Sequence, residues 1–303
     1  MEININCDLG EKSKFHSIEN DPALLGLVNS ANIACGYHAG DAETMNLIIK
    51  ISKKNKVSIG AHPSYKDPEN FGRKRINLNS LEIKKLICEQ YEILQKIAQK
   101  NNVSIGAHPS FYDPENFGRK RINLSSSEIK KLIIDQYEIL QKIAIKYNEN
   151  VTHIKPHGAL NNMACEDLEL STTIAKVING IDKDLIYLVP TGSKMEEAAQ
   201  KFNMKIACEI FADRNYEDNG NLVSRKNSHA LITVPEEAIK HVLKMVKTQA
   251  LNCHSGKQIP CEIDSICIHG DNLSSLATAK SIRDNLLENK LELKPLNKME
   301  KFI

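Results

Sequence analysis

The sequence predicts an α/β fold in which a parallel sheet closes into a barrel. Short apolar segments alternate with segments of helical periodicity along the chain, as in successive β/α units. A 46-residue segment occurs twice, and without one copy the 303-residue chain would have 257 residues, a usual size for a single barrel. Several apolar segments end in Asp or His, and barrel strands carry active sites at such ends. We therefore predict a single domain over residues 1–303.

The predicted strands are short apolar segments that the intervening helices connect in parallel. In chain order they read ININ, ANIAC, VSIGA, VTHIK, LIYLV, IACEIF and SICIH, with VSIGA present in both copies of the repeat. The predicted helices, with apolar residues every three or four positions, read AETMNLIIKISKK, SEIKKLIIDQYEILQKIA, MEEAAQKF, EEAIKHVLKMVK and LATAKSIRDNLL. The segment VPTGSKMEE lacks the phosphate-binding spacing GxxxxGK[ST], so we predict a helix start there with Ser193 as N-cap.

Residues 57–102 and 103–148 form a nearly identical tandem repeat, and both copies begin with VSIGAHPS. No other part of the chain resembles this unit, which argues against a solenoid. The barrel either accepts an additional β/α unit or keeps one copy while the other protrudes. We expect protrusion, because insertion changes every distance around a closed barrel whereas an external segment costs mainly loop entropy.

The second copy is the one we expect inside the barrel. It has Ile134, Ile145 and Tyr147 where the first copy has less apolar residues, and additional apolar surface favours burial. This arrangement places His108, rather than His62, in the site. The displaced copy would keep an apolar helix face, so self-association into a homo-oligomer is a further expectation.

The predicted strands carry a second, polar face that ends in Asp or His. Side chains alternate along a strand, so Asn4, Asn6 and Asp8 share one face of the first strand. The later strands repeat this sorting with Asn32 and His38, with Ser58, Gly60 and His62, with His153, Lys155 and His157, and with Cys267, His269 and Asp271. We predict that these faces meet around one pocket at the carboxyl ends of the strands.

Composition excludes several classes of function. The formal net charge is +2, too small to hold nucleic acid or an acidic membrane surface. No apolar segment approaches the roughly 20 residues that cross a bilayer, and the N-terminus lacks the pattern of a signal peptide. The eight cysteines form no CxxC pair and several lie in apolar segments, so we expect reduced, buried thiols and a cytoplasmic protein.

The motifs NCDLGE, ACGYHAGD, GAHPS, HIKPHGAL, FADR and IHGD occur in this order. With them the chain resembles the LamB/YcsF family over essentially its whole length, apart from one copy of the repeat. The resemblance implies an irregular (β/α) barrel of the glycoside hydrolase/deacetylase type with about seven strands. It also implies ATP-dependent opening of 5-oxoproline to glutamate, with ATP (and Mg²⁺) as co-substrate, by the A subunit of a 5-oxoprolinase that works with subunits B and C.

This chemistry needs a base that takes a proton from water, which histidine or aspartate can provide. It also needs a cation near the developing oxyanion or a phosphate, which lysine can provide. The candidate catalytic residues are Asp8, His38, His62, His108, His153, Lys155, His157, His269 and Asp271. The candidate substrate-binding residues are Asn6, Asn32, Arg73, Arg119, Asp213 and Arg214, the arginines because they grip carboxylate or phosphate bidentately.

Two other classes of function stay open. The first is a metal-dependent deacetylase or amidohydrolase that acts without ATP, with Asp8, His38, His62 and His108 as candidate ligands. The motif HExxH is absent, so the sequence gives little support for a metal. The second is a non-catalytic binding subunit that the duplication has inactivated.

Overall fold

The barrel of this protein has eight parallel strands. The computed structural model describes residues 1–12, 18–35, 39–62, 85, 88–90, 92–94, 105–111, 121–146, 150–224, 227–268 and 275–303. The barrel strands are β1 (Glu2–Leu9), β2 (Ser30–Ala34), β3 (Ser58–His62), β4 (Ile105–Ala107), β5 (Val151–Ile154), β6 (Ile186–Pro190), β7 (Lys205–Phe211) and β10 (Ser265–Ile268). They neighbour one another in this order, and β10 pairs back to β1, which closes the sheet. The predicted closed, parallel α/β barrel is confirmed.

Helices cover the outside of the barrel. Those whose bounds lie within the described residues are α1 (Asp21–Leu24), α2 (Ala42–Asn55), α3 (Ser126–Lys146), α4 (Gly158–Glu166), α5 (Leu168–Ile181), α6 (Lys194–Gln200), α7 (Pro235–Thr248) and α8 (Ser275–Glu288). Side chains cap several of them, as Asp41 does by accepting from the Thr44 amide at 2.7 Å. Ser193 is the N-cap of α6, as predicted, and accepts from the Glu196 amide. None of the helices described is both long enough and apolar enough to cross a membrane.

Both copies of the repeat contribute a strand to the barrel. Strands β3 and β4 lie side by side between β2 and β5. Their pairing joins equivalent residues of the two copies, Ile59 to Ile105 and Gly60 to Gly106. The expectation that one copy protrudes is therefore wrong, and so is the count of about seven strands.

The register explains why the additional strand fits. Because equivalent positions pair, the inserted strand repeats the inward and outward alternation of its neighbour, and every inward position stays inward. Ile59 and Ile105 are both fully buried against the helices. A protruding copy would have exposed this apolar surface and left the backbone groups of its strand without partners in the sheet. We attribute the insertion to this cost, which is larger than the cost of changing the dimensions of the barrel.

The second copy supplies a long helix to the outer layer of the barrel. The apolar residues that favoured this copy in the sequence do not all become buried in this helix. Helix α3 buries Ile133, Leu140 and Ala144 completely. Ile145, by contrast, is 58 % exposed. Burial of apolar surface therefore gives no reason to prefer the second copy at position 145. Tyr147 lies outside the described residues.

The chain ends by closing the amino-terminal end of the barrel. Strand β11 (Glu292–Leu293) pairs with the start of β1, and two short 3₁₀ helices follow at Leu296–Lys298 and Glu300–Phe302. Leu296, Met299 and Phe302 pack with inward side chains of β6 and β7 in a small apolar cluster. A hairpin of β8 (Ala250–Asn252) and β9 (Gln258–Pro260) lies outside the barrel sheet. The site must therefore open at the opposite, carboxyl end of the strands.

Two equivalent glycines make room for polar side chains inside the barrel. A Cβ atom on Gly60 would overlap the Asn32 side chain, and a Cβ atom on Gly106 would overlap the His153 ring. The same repeat position thus serves a different neighbour in each copy, Asn32 of β2 in the first and His153 of β5 in the second.

We expect Gly106→Ala to lower the free energy of unfolding by about 1–3 kcal/mol, because the new methyl group displaces the buried His153 ring. Gly180→Ala is the matched control, since nothing lies within 4 Å of a Cβ at this helical position. The control should be neutral or stabilising by up to about 1 kcal/mol. Urea unfolding of both variants measures the difference, and equal midpoints would contradict this description of the barrel interior.

Candidate active site

On β1, β2, β3 and β10, the lowest layer of the barrel interior is polar and uncharged. Asn4 of β1 donates to the Ser30 hydroxyl at 3.0 Å and accepts from the Ser265 hydroxyl at 3.1 Å. Ser30 and Ser58 are hydrogen bonded at 2.8 Å. Four strands are thus cross-linked by side chains that are buried and mutually satisfied.

A buried ion pair lies above this layer. The Lys155 Nζ atom is 2.8 Å from Oε1 of Glu209, and Asn6 donates to the same oxygen at 2.9 Å. The Glu209 side chain is fully buried and that of Lys155 is 14 % exposed. Burial lowers the pKa of Lys155, but Cys267, Glu209 and Asp8 outweigh it and hold the pKa above its usual value. Lys155 is therefore a permanent cation inside the barrel.

Two further groups surround the Lys155 ammonium. Asn32 of β2 donates a hydrogen bond to the Asp8 carboxylate of β1 at 2.8 Å, which fixes the position of this carboxylate. The Sγ atom of Cys267 lies 3.9 Å from Nζ of Lys155, and burial raises the pKa of this thiol well above its usual value. The carboxylates of Glu209 and Asp8, from strands on opposite sides of β5, thus stabilise the cation, and Asn6 and Asn32 donate to these carboxylates.

Three histidines cluster at the carboxyl ends of β3, β4 and β5. Their ring centroids are separated by 5.6 Å for His62 and His108, 5.2 Å for His62 and His157, and 4.7 Å for His108 and His157. Nδ1 of His157 is 3.0 Å from Nε2 of His108, and Nδ1 of His108 is 2.5 Å from the Lys155 carbonyl oxygen. His62 approaches the Glu11 carboxylate at 3.8 Å. Both copies of the repeat thus bring their histidine to one place.

Burial keeps two of the inward histidines neutral. The pKa of His108 is well below its usual value because of burial first, and then because of the charges of His62 and Lys155. Burial and the nearby Lys155 lower the pKa of His153 to about 4. Both rings are therefore uncharged at neutral pH and can accept as well as donate hydrogen bonds.

The structure brings most of the candidate residues together inside the barrel. Asn6, Asp8, Asn32, His62, His108, His153, Lys155 and His157 all lie on inward strand positions or at the carboxyl ends of the barrel strands. Asp213 follows β7 and contributes to raising the pKa of Cys267. Arg214 is buried and donates to the Val223 carbonyl at 2.7 Å, so this bond ties its guanidinium to a loop. His38, Arg73, Arg119, His269 and Asp271 lie outside the described residues.

Two residues of the site, Glu209 and Glu11, were not predicted from the sequence. Glu209 stands in the apolar strand KIACEIF, and alternation puts it on the same face as Ala207 and Phe211. A carboxylate in a buried strand needs a buried partner, so this position alone could have predicted the pairing with Lys155. Glu11 follows the first strand in NCDLGE and is 8 % exposed, but no periodicity marked it.

His108 does not fit the role of a metal ligand in this arrangement. Both ring nitrogens of His108 already face hydrogen-bond partners, the Lys155 carbonyl and His157. Within the described part of the chain, the one group of ligand-type side chains close enough to share an ion is Cys208, Glu262 and Asp264. The Lys301 ammonium contacts both of those carboxylates at 2.7 Å and balances their charge.

We expect the free energy of unfolding to fall between pH 6.5 and pH 4, in part because of His153. In this window the unfolded chain binds a proton at position 153 that the folded chain does not bind, so lowering the pH favours unfolding. His153→Phe removes the titrating group and should reduce the loss between these pH values by about 3 kcal/mol. Urea unfolding at several pH values measures it, and parallel pH curves for variant and parent would refute the shift.

The sequence is similar to those of known proteins along nearly its whole length. The model of the LamB/YcsF family matches residues 3–101 and again residues 95–301, so the two matches meet near the junction of the two copies. The A subunit of 5-oxoprolinase from Clostridium beijerinckii is 36% identical over 298 residues, covering 98% of this chain and 99% of the relative. That of Nitrobacter hamburgensis is 35% identical over 296 residues, with 97% and 98% covered.

A solved structure shows the same relationship in three dimensions. The lactam utilization protein of Thermus thermophilus is 26% identical, with a TM-score of 0.66 over 97% of this chain and 100% of that one. The family model and the relatives extend over nearly the whole sequence. The chain therefore belongs to the LamB/YcsF family.

Proposed function

We propose that this chain is the A subunit of a 5-oxoprolinase, which opens the lactam ring of 5-oxoproline to glutamate with hydrolysis of ATP. The observation that carries the proposal is similarity, along the full length of both chains, to relatives that bear the name of this A subunit. The lactam utilization protein of similar fold supports a cyclic amide as the substrate class. The relatives' name also supports an assembly with further subunits, which we take to be subunits B and C.

The reaction adds water to an amide carbonyl that is a poor electrophile. The water oxygen bonds to the lactam carbon, the ring C–N bond breaks, and the nitrogen takes up a proton to become the amine of glutamate. With ATP coupling, one 5-oxoproline, one ATP and two waters give glutamate, ADP and phosphate. The site must therefore stabilise negative charge on the carbonyl oxygen and accept a proton from water.

Lys155 has the properties that the first of these tasks requires. An ammonium carries three N–H donors, and its bond to Glu209 uses one of them. The charge is held in a buried place, where it acts on a developing oxyanion more strongly than in water. Asp8 and the histidine cluster supply candidate proton acceptors at the same end of the barrel.

The substrate ring fits at the carboxyl rim rather than inside the barrel. The interior cavity, lined among others by Asn6, Asn32, His108, His153 and Lys155, has room for about one water molecule. 5-Oxoproline is larger than this. Its carbonyl oxygen can approach Lys155 only from the open end, where the histidines lie.

Nucleotide binding is expected to involve the partner subunits. The GSK segment after β6 forms the N-cap and first turn of α6, and the side chain of Ser193 is used to cap this helix. The segment therefore has the local structure of a helix start, without the glycine-rich loop that cradles phosphates. We accordingly propose that the isolated chain does not turn over 5-oxoproline.

The decisive assay measures glutamate release from 5-oxoproline and ATP by this chain together with subunits B and C. The Lys155→Met variant should lose at least about a hundredfold in kcat/KM, the size expected for removing an oxyanion-stabilising donor. Because a single substitution leaves Glu209 buried without its cation, that variant also loses about 3–5 kcal/mol of stability. The double variant Lys155→Met/Glu209→Met removes both charges and should fold but stay inactive.

Lys142→Met is the control for a lysine whose ion pair, with Glu138, lies on the exposed face of α3. It should keep parental activity. Glutamate release by the isolated chain would refute the dependence on partners. No release by the complete assembly, with all three subunits folded, would refute the proposed function.

A further inference from the structure

The hydrogen bonds of the histidine cluster have a direction that the chemistry of their atoms determines. The Lys155 carbonyl oxygen can only accept, so Nδ1 of His108 must carry the proton of their 2.5 Å bond. In the neutral ring, Nε2 of His108 is then a lone-pair acceptor. The 3.0 Å contact from this atom to Nδ1 of His157 consequently requires a proton on His157 Nδ1.

The neutral state on which this direction depends follows from the surroundings of His108. Burial is the main cause that lowers the pKa of His108. The groups whose charges lower it further are all bases: His62 of β3, Lys155, which follows β5, and His153 of β5. A second proton on Nε2 would place a cation beside the Lys155 ammonium. The described surroundings therefore keep Nε2 as an acceptor.

The backbone holds the two rings in this relation. The Lys155 amide donates to the Ala107 carbonyl at 2.9 Å, and the His157 amide donates to the Pro109 carbonyl at 2.8 Å. On the other side, Gln136 of α3 accepts from the Ser110 amide at 3.1 Å and donates to the Ser110 carbonyl at 2.8 Å. The segment that carries His108 is thus tied to both β5 and α3.

We propose that His108 is a positioning residue that holds neutral His157 as the Nδ1–H tautomer, so that Nε2 of His157 is the atom that accepts a proton from water during lactam opening. The proton-transfer part rests on the function proposed above. The water proton goes to Nε2 and is later delivered to the ring nitrogen that leaves the carbonyl carbon, which returns His157 to its starting state. His62, at the equivalent position of the first copy, does not have this role, because it is His108 that makes the bond to His157 Nδ1.

The tautomers can be read directly, without substrate. Long-range ¹H–¹⁵N spectra of the full chain labelled with ¹⁵N-histidine distinguish the Nδ1–H from the Nε2–H form, and each signal is assigned from the spectrum of the corresponding variant. We expect Nδ1–H for both His108 and His157 at neutral pH. The Nε2–H form for His108, or a charged His108 at neutral pH, would overturn the proposal.

The duplication supplies a matched pair of variants. His108→Phe keeps a ring but removes both nitrogens, and it should shift His157 to the Nε2–H form that a free imidazole prefers. His62→Phe, the same change in the other copy, should leave the His157 tautomer unchanged. In the assembly with subunits B and C, His108→Phe should lower kcat by about tenfold or more with little change in KM, since the ground-state contacts remain.

A conservative variant separates positioning from mere folding. Glutamine offers an N–H donor for the Lys155 carbonyl and an oxygen acceptor for His157, so His108→Gln should retain the His157 tautomer and most of kcat. An unchanged tautomer in His108→Phe, or a shift of His157 to the Nε2–H form in His62→Phe, would refute the assignment. Expected tautomers in an assembly that releases no glutamate would support the hydrogen-bond chain and refute only the proposed reaction.

Discussion

The interior of this protein is organised around one lysine ammonium inside a closed sheet. Lys155 carries its charge inside the barrel. Burying an ammonium costs several kcal/mol unless opposite charge and hydrogen bonds surround it. Glu209 supplies the charge, and Asn6 fixes the carboxylate. Asn6, Asp8 and Asn32, which look like unrelated polar residues in the sequence, are thus parts of one solution to the problem of a buried cation.

Burial sets the state of the histidines next to this ammonium, and its charge acts in the same direction. Both effects lower the pKa of His108 and His153, so the two rings remain neutral. Neutral imidazoles have one donor and one acceptor, which gives their hydrogen bonds a direction. Burial and the charge of Lys155 together therefore favour one placement of the protons at the rim of the barrel.

Much of this arrangement could be predicted from the sequence, for a physical reason. Alternation along β1, β3 and β5 sorts polar from apolar residues, and a parallel barrel brings the polar faces together. Glu209 was missed because its strand was interpreted as apolar throughout, although one buried carboxylate implies a partner. Hydrogen-bond pairs such as His108 with His157 depend on register and bulges, including the shift between Ile105 and Gly106 opposite β5, which no periodicity encodes.

The fate of the duplicated unit could not be predicted from loop entropy alone. The deciding quantity was the register between the copies, because pairing of equivalent residues lets a closed sheet take one more strand without turning any side chain to the other face. The glycines at positions 60 and 106 show how the same residue then meets different neighbours on its two sides.

Strands β3 and β4 carry the same segment, so neither β2 nor β5 can distinguish them by sequence while the chain folds. Docking either octapeptide against either neighbour satisfies the same backbone groups. During folding, a barrel that closes with only one of the two units therefore competes with the native barrel. The repeat fits the native barrel, but it adds competing contacts while the chain folds.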